Sequence, residues 1–322
     1  MALFWWKYQT FGFLRDCLSH SVSRKLAAPG VRGRPYSGDG VTATMEIVIA
    51  GPALAFLFAC AATFVRARAL FAEPVARKVP SIAGSLGARR VLAVLAHPDD
   101  ELRVAALLRT AKRRDHASTA LVTATRGEMG GQVPLVARQR DLAAVRTAEL
   151  LKSGFALRID EQEIWDFPDG ALADVDFERL SGRVEEAIRR HRPELLVTFW
   201  PASGQSGHPD HMRIGLAAEA AALRLAKGAA IEGYGGPRWI AYVLAPRRGI
   251  RAIGGEAGAF VAARQPAPTH MMPGRLSTRM KGWRIHASQR YSIETSYRIP
   301  ARLLYLVWRN EFYKVSDLKD HS

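Results

Sequence analysis

From residue 90 onward, short apolar runs alternate with stretches of helical spacing. Arg90-Val-Leu-Ala-Val-Leu-Ala96 is a continuous apolar run, the pattern of a strand buried on both faces. Glu101 to Arg114 follows with Leu102, Ala105, Ala106, Leu108 and Ala111 at helical intervals. Ser118 to Thr125 reads as a second strand. Arg138 to Lys152 reads as a helix with Leu142, Val145, Ala148 and Leu151 on one face. A short strand at Glu163 to Phe167, a helix at Asp174 to His191 and a buried strand at Glu194 to Trp200 come next. A helix at Asp210 to Lys227 and a late strand at Trp239 to Leu244 complete the series. Strands alternating with helices predict an α/β fold, a Rossmann-like, mostly parallel sheet with helices on both faces. No internal repeat interrupts it.

The first ninety residues are patterned differently. Phe4, Trp5, Trp6, Phe11 and Phe13 are broken by Lys7 and Arg15, and an aperiodic Gly/Pro/Ser/Arg-rich stretch follows. Residues 1–44 therefore read as a disordered leader, with Met45 as an alternative start. Ile47 to Val65 carries no charge and, as a helix at ~1.5 Å per residue, spans roughly 28 Å, about the hydrocarbon thickness of a bilayer. Arg66 and Arg68 follow at once. The expectation is a membrane-anchor helix over 45–70, a linker over 71–88, a catalytic domain over 89–315 and a tail over 316–322. A cleaved signal peptide and a soluble helix are the alternatives. The flanking Lys and Arg tie if the leader is present. A start at Met45 leaves none upstream, which favours a single-pass protein with its catalytic body in the cytoplasm. Signal cleavage would instead make it secreted or periplasmic.

Composition narrows the chemistry. A chain of 322 residues allows about two domains, and 48% hydrophobic with 24% charged residues is ordinary for a packed globule. Cys17 and Cys60 are too few for a disulfide scaffold or a Cys-rich metal domain, so any metal must be held by His and carboxylates. Lys plus Arg exceeds Asp plus Glu by 46 to 30, a formal +16 that suits an anionic partner. The basic residues are scattered without interleaved stacking aromatics, which argues against nucleic acid. The oligomeric state is not legible.

In open α/β sheets, ligands bind at the carboxyl ends of the strands. There the chain places Ala96-His97-Pro98-Asp99-Asp100-Glu101, then Thr125-Arg126-Gly127-Glu128-Met129-Gly130-Gly131, then Gly207-His208-Pro209-Asp210-His211. His97 and Asp100 share one turn and His208 and His211 another. A His₂Asp set with an open position is a plausible catalytic zinc site, and Asp99 is a spare carboxylate beside it. Each motif alone has a plainer reading. Acids at a helix start cap free N–H groups, and paired histidines often only satisfy local hydrogen bonds. Their joint occurrence at the strand ends of one sheet changes the balance.

A strand running into A-H-P-D-D-E, then T-R-G-E-x-G-G, then G-H-P-D-H resembles the LmbE/PIG-L family of zinc-dependent N-acetylglucosamine de-N-acetylases. The likeness runs from Arg89 to about Gln289. Arg146-x-x-Glu149, Asp169-Gly170 and Lys281-x4-His286-x2-Gln289 are similar to further family positions. The resemblance implies that His97, Asp100 and His211 bind Zn2+. It makes Asp99 the general base on a water, His208 the group that stabilises the oxyanion or protonates the leaving amine, and Arg146 a substrate contact. It implies a hydrolase that removes the acetyl group from an N-acetylglucosamine-type sugar. The membrane anchor and the basic balance add a lipid-linked substrate as one reading. Hydrolysis of another N-acyl substrate and a non-catalytic glycan-binding relative are the alternatives. Weaker readings attach to other residues: helix-start duty or support of a zinc ligand for Glu101, sugar contact or a surface ion pair for Arg126 and Glu128, packing for Met129, and pocket or interior for His286.

Overall fold

The computed structural model describes residues 39–228 and 233–321. The leader expected over residues 1–44 lies outside them up to residue 38. The chain falls into two units, Met1–Phe58 and Ala59–Ser322, and every element after the first helix belongs to the second.

The first helix, α1, is Asp39–Leu70. It corrects the membrane reading. Among the described residues, no helix is long and apolar enough to cross a membrane. The single-pass localisation, the membrane partner at residues 47–65 and the lipid-linked substrate drawn from them lose that support.

β1 (Arg77–Lys78) and α2 (Ile82–Leu86) follow, with Ile82 and Ala83 fully buried. Then come β2 (Arg90–Leu95), α3 (Ala105–Arg113), β3 (Ser118–Thr125), α4 (Leu142–Leu157), β4 (Glu161–Phe167) and α5 (Phe177–His191). β5 (Leu195–Phe199), α6 (Pro209–Lys227), β6 (Trp239–Leu244), α7 (Arg247–Ile253) and α8 (Gly255–Arg264) continue the chain. β7 (His270–Pro273), α9 (Leu276–Ile285), α10 (Ser292–Tyr297), α11 (Ala301–Val307) and β8 (Asn310–Asp317) end it. The strands form one mixed sheet in the order β1-β7-β8-β6-β5-β2-β3-β4, mostly parallel, with helices on both sides. β8 alone runs against its neighbours β6 and β7.

Side chains of the central strands account for the sheet. Leu92, Ala93, Val94 and Leu95 of β2 and Leu195, Leu196 and Val197 of β5 are fully inaccessible, as continuous apolar runs in a two-sided sheet require. β2 pairs in parallel with β3 on one side and β5 on the other, Val91 facing Thr119 and Leu195. Strand order therefore reverses at β2/β5, and the crevice beyond their carboxyl ends is the natural ligand position.

The antiparallel end of the sheet solves a local problem. α3 starts without a side-chain cap of its own, its preceding residue being Val104. Glu311 of β8 supplies the acceptors: its carboxylate takes the N–H groups of Ala106 at 2.8 Å and Leu107 at 3.1 Å. A buried acid on a late strand thus caps a helix about 200 residues earlier, with the macrodipole favouring its charge.

Candidate active site

Three loops converge at the crevice. After β2, Ala96 leads into His97, Pro98 and Asp99, and a 3-10 turn covers Asp100–Arg103. Asp99 sits at φ 105°, a left-handed conformation unfavourable for a residue with a Cβ. Its N–H donates to Glu101 Oε2 at 3.0 Å, which holds the turn. After β5, a tight loop from Trp200 delivers His208, which caps α6 by accepting the Asp210 N–H at Nδ1, 3.2 Å away. After β3, Gly127 and Gly130 pass close to Arg146 from α4. A Cβ at either would lie 2.3 or 2.4 Å from the guanidinium Nη1, which is the physical reason for glycine at both places in R-G-E-M-G-G.

The expected ligands are together. His97 Nδ1 lies 3.1 Å from His211 Nε2. Asp100 reaches His97 Nδ1 at 3.5 Å and His211 Nε2 at 3.2 Å, one oxygen to each. The far nitrogen of each ring is already committed. His97 Nε2 meets Asp169 Oδ1 and Asp210 Oδ2, both at 3.1 Å. His211 Nδ1 meets the Gly204 carbonyl at 3.0 Å and Ser206 Oγ at 2.8 Å, and its ring stacks on Phe199 with centroids 4.1 Å apart. Acceptors at the far nitrogens fix an N–H there, so that loss of one further proton from His97 leaves two basic nitrogens facing each other beside a carboxylate. That donor set fits a divalent cation.

Two wider groups of His and Asp atoms also lie close enough to hold an ion: His97, His208 and His211, and His97, Asp169 and Asp210. They share His97 but use opposite sides of its ring. The Asp169/Asp210 side has the arrangement of acceptors that orient a liganding imidazole.

Electrostatics follow from burial and these contacts. Burial disfavours a charged His97, yet the hydrogen bonds it donates to the Asp100, Asp169 and Asp210 carboxylates outweigh it and hold its pKa well above the histidine range. Burial likewise opposes a charged Asp100, but His211 and His97 bring it well below the carboxylate range. Burial pushes His211 down to about 4 despite Asp100. Burial and the neighbouring His97 lower His208. Asp99 is raised by burial, against the opposing pull of Arg146.

Around this centre the remaining expected residues take their places. Arg146 Nη2 is 3.5 Å from Asp99 Oδ2, and its Nη1 donates to the Gly127 carbonyl at 2.9 Å. Its Nε is buried without a partner. Asp100 Oδ1 also accepts Arg103 Nε at 3.2 Å, and Arg103 Nη1 donates to Gln205 Oε1 at 2.7 Å, tying the loop of His97 to the loop of His208 and His211.

Sequence reasoning undervalued several residues. Asp169 and Asp210 were visible only as parts of D-G and H-P-D-H, yet both orient His97. Glu101 does more than start a helix: buried, it accepts from Ser153 Oγ and pairs with His286 Nε2 at 2.6 Å, so His286 is interior. Glu149 accepts both the N–H and the hydroxyl of Ser288, at 2.9 and 2.6 Å, joining R-x-x-E to the late segment. Arg126 takes the surface option, an ion pair with Asp166 at 3.1 Å, while Glu128 accepts the Asp169 N–H at 2.9 Å. Met129, expected to pack, is 70% exposed on the rim of a cavity of about 680 Å³. His97, Asp99, Asp100, Arg146, His208 and His211 all line that cavity.

Residues 92–222 match the family model described as PIG-L, GlcNAc-PI de-N-acetylase. A 1D-myo-inositol 2-acetamido-2-deoxy-alpha-D-glucopyranoside deacetylase of Kineococcus radiotolerans is 30% identical over 281 residues, covering 70% of this chain and 77% of the relative. The chain belongs to the PIG-L family. A second PIG-L relative, a probable N-acetyl-alpha-D-glucosaminyl L-malate deacetylase of Bacillus subtilis, is 34% identical over 139 residues, 42% of this chain and 62% of the relative. The PIG-L fold is seen again in the N,N'-diacetylchitobiose deacetylase of Pyrococcus horikoshii, with a TM-score of 0.58 at 16% identity, covering 75% of this chain and 88% of that one. The lineage is one of deacetylases, as the motifs imply, and the chain is an enzyme of that kind.

Proposed function

We propose that this PIG-L enzyme hydrolyses the acetamide of an N-acetylglucosamine-type sugar at one Zn2+ held by His97, Asp100 and His211. The observation that carries the reading is the pair of facing nitrogens, His97 Nδ1 and His211 Nε2, 3.1 Å apart beside Asp100, each ring oriented from behind by an acceptor. Relatives named for inositol and malate glycosides of N-acetylglucosamine support the sugar. When bound, the ion supplies Lewis-acid chemistry, lowering the pKa of water and polarising a carbonyl.

The chain's own groups divide the rest of the work. Asp99, its pKa raised by burial, accepts a proton from the attacking water while Arg146 orients its carboxylate. His208 accepts at Nδ1 from Asp210, so its N–H is at Nε2. Its low pKa keeps it neutral, and it donates that N–H to the developing oxyanion. The new C–O bond forms, the C–N bond breaks, and Asp99 returns the proton to the departing amine. Acetate and a free glucosamine result.

The test is product analysis with the full chain and added zinc. Acetate and a free amine should appear in equal amounts from an N-acetylglucosaminide. His97→Ala should lose zinc by elemental analysis, and full occupancy in that variant would refute the ligand set.

A further inference from the structure

The cavity extends well beyond the His/Asp centre, and its far side differs in chemistry. At about 680 Å³ it falls within the ~300–1,000 Å³ of pockets that enclose drug-sized ligands. One N-acetylated ring at the centre leaves the far end for whatever the sugar is attached to. Away from the His/Asp residues the lining is uncharged and largely apolar: Ile250 of α7, Ala257 and Val261 of α8, Trp283 of α9 and Ile293 of α10, with the hydroxyls of Ser296 and Tyr297 beside them. It begins beside the reacting groups. A Cβ built on Gly207, the residue before His208, would stand 3.8 Å from the Phe260 ring and 3.9 Å from Ala257 and Val261.

Charge is distributed the opposite way. Among the described lining residues the guanidinium groups are Arg103 and Arg146, and both are held by site carboxylates, Asp100 at 3.2 Å and Asp99 at 3.5 Å. Among the described residues no lysine lines the cavity. Arg264 of α8 lies over the Phe260 ring, 4.1 Å from its centroid, and is not a lining residue. A carboxylate or phosphate placed there would lose water and meet, among the described lining residues, no cationic side chain that is not already paired with a site carboxylate, which is costly.

We propose that this far end is an aglycone subsite for an uncharged, apolar group, such as an alkyl or aryl substituent at the anomeric position, and that it disfavours anionic aglycones. The inference rests on the deacetylase reading and names its substrate class.

The test uses the full chain with zinc and three N-acetylglucosaminides sharing one sugar: an aryl glycoside, the inositol glycoside and the malate glycoside. The aryl glycoside should exceed the malate in kcat/KM by about tenfold or more, with inositol between them, since an apolar pocket discriminates by roughly 10- to 200-fold per group. Ala257→Lys changes an exposed helix position and should cut the aryl-to-malate ratio by about tenfold. Malate matching or exceeding aryl, inositol exceeding aryl, or a ratio unmoved by Ala257→Lys would each overturn the subsite. If none of the three releases acetate, the deacetylase reading fails. The subsite is then judged by calorimetric binding of the same glycosides: aryl tightest supports it, and equal, reversed or absent binding refutes it.

Discussion

Asp210→Asn tests how the site is built. Asp210 is fully inaccessible. Its Oδ2 faces His97 Nε2 at 3.1 Å and accepts the Gly170 N–H at 2.8 Å, and its Oδ1 accepts the Leu172 N–H at 3.1 Å. An asparagine has the same shape but one oxygen. It can serve one backbone donor and must turn its NH₂ toward the other, at a cost of about 1–3 kcal/mol for an orphaned buried donor. It also removes a carboxylate that makes His97 a better ligand, an effect worth about 10–100-fold in metal affinity. Asp169 meets the same nitrogen at the same distance, so one carboxylate remains, and each single variant should fall near the tenfold end. The double variant Asp169→Asn/Asp210→Asn should approach 100-fold, more than either single change. Zinc affinity is read by competition with a chelator, and folding by urea denaturation of the zinc-free protein. A folded Asp210→Asn protein that binds zinc as tightly as the unaltered chain would refute the orienting role.

Other outcomes follow from the same contacts. Asp99→Asn keeps the shape of the turn, so zinc should stay bound while turnover falls by roughly 10²–10⁴; near-normal acetate release would reassign the base. Glu311→Ala removes the acceptors of the Ala106 and Leu107 N–H groups and should cost about 2–4 kcal/mol in urea unfolding, with Glu311→Gln losing less. Equal stability of all three proteins would exclude the cap. Asp160 is held below its ordinary 3.8: burial opposes the charge, but Lys112 at 2.5 Å and the Thr119 N–H outweigh it. A depressed carboxylate stabilises above its unfolded pKa and stops doing so as pH falls through the folded one. The penalty of Asp160→Asn, below about 1 kcal/mol at pH 7 for so exposed a pair, should shrink below pH 3.8 in urea titrations. A penalty that grows toward acid would reverse the sign.

The parallel half of the sheet is legible because its strands are buried on both faces. Arg90 to Ala96, Ser118 to Thr125 and Trp239 to Leu244 read as strands, and the observed strands end within one residue of them. The expected helix from Glu101 is an Asp100–Arg103 3-10 turn followed by α3 from Ala105. Helical spacing of apolar residues cannot register that Glu101 is turned inward to meet His286, because that partner lies 185 residues away. β8 is missed for a related reason. Its Glu311 is charged, yet in the fold it is buried beneath the start of α3. A pattern of apolar and polar positions assumes that acids face water, and this one faces helix N–H groups.

The site divides along the same line. His97, Asp99 and Asp100 are legible because one turn carries them, and His208 with His211 because one helix start does. What links the two turns is not local. Arg103 donates to Asp100 in its own turn and to Gln205 in the other. Gln205 adopts φ 63°, a left-handed conformation that its Cβ makes unfavourable. That conformation persists where surrounding contacts over-determine it, and here the contact is a guanidinium already fixed by the Asp100 carboxylate. One carboxylate therefore faces both the His97 and the His211 imidazoles and, through Arg103, holds the loop that delivers the second of them. Spacing in the sequence shows which side chains are available for the chemistry. Only the reversal of strand order at β2/β5 brings the two turns close enough for a single aspartate to serve both.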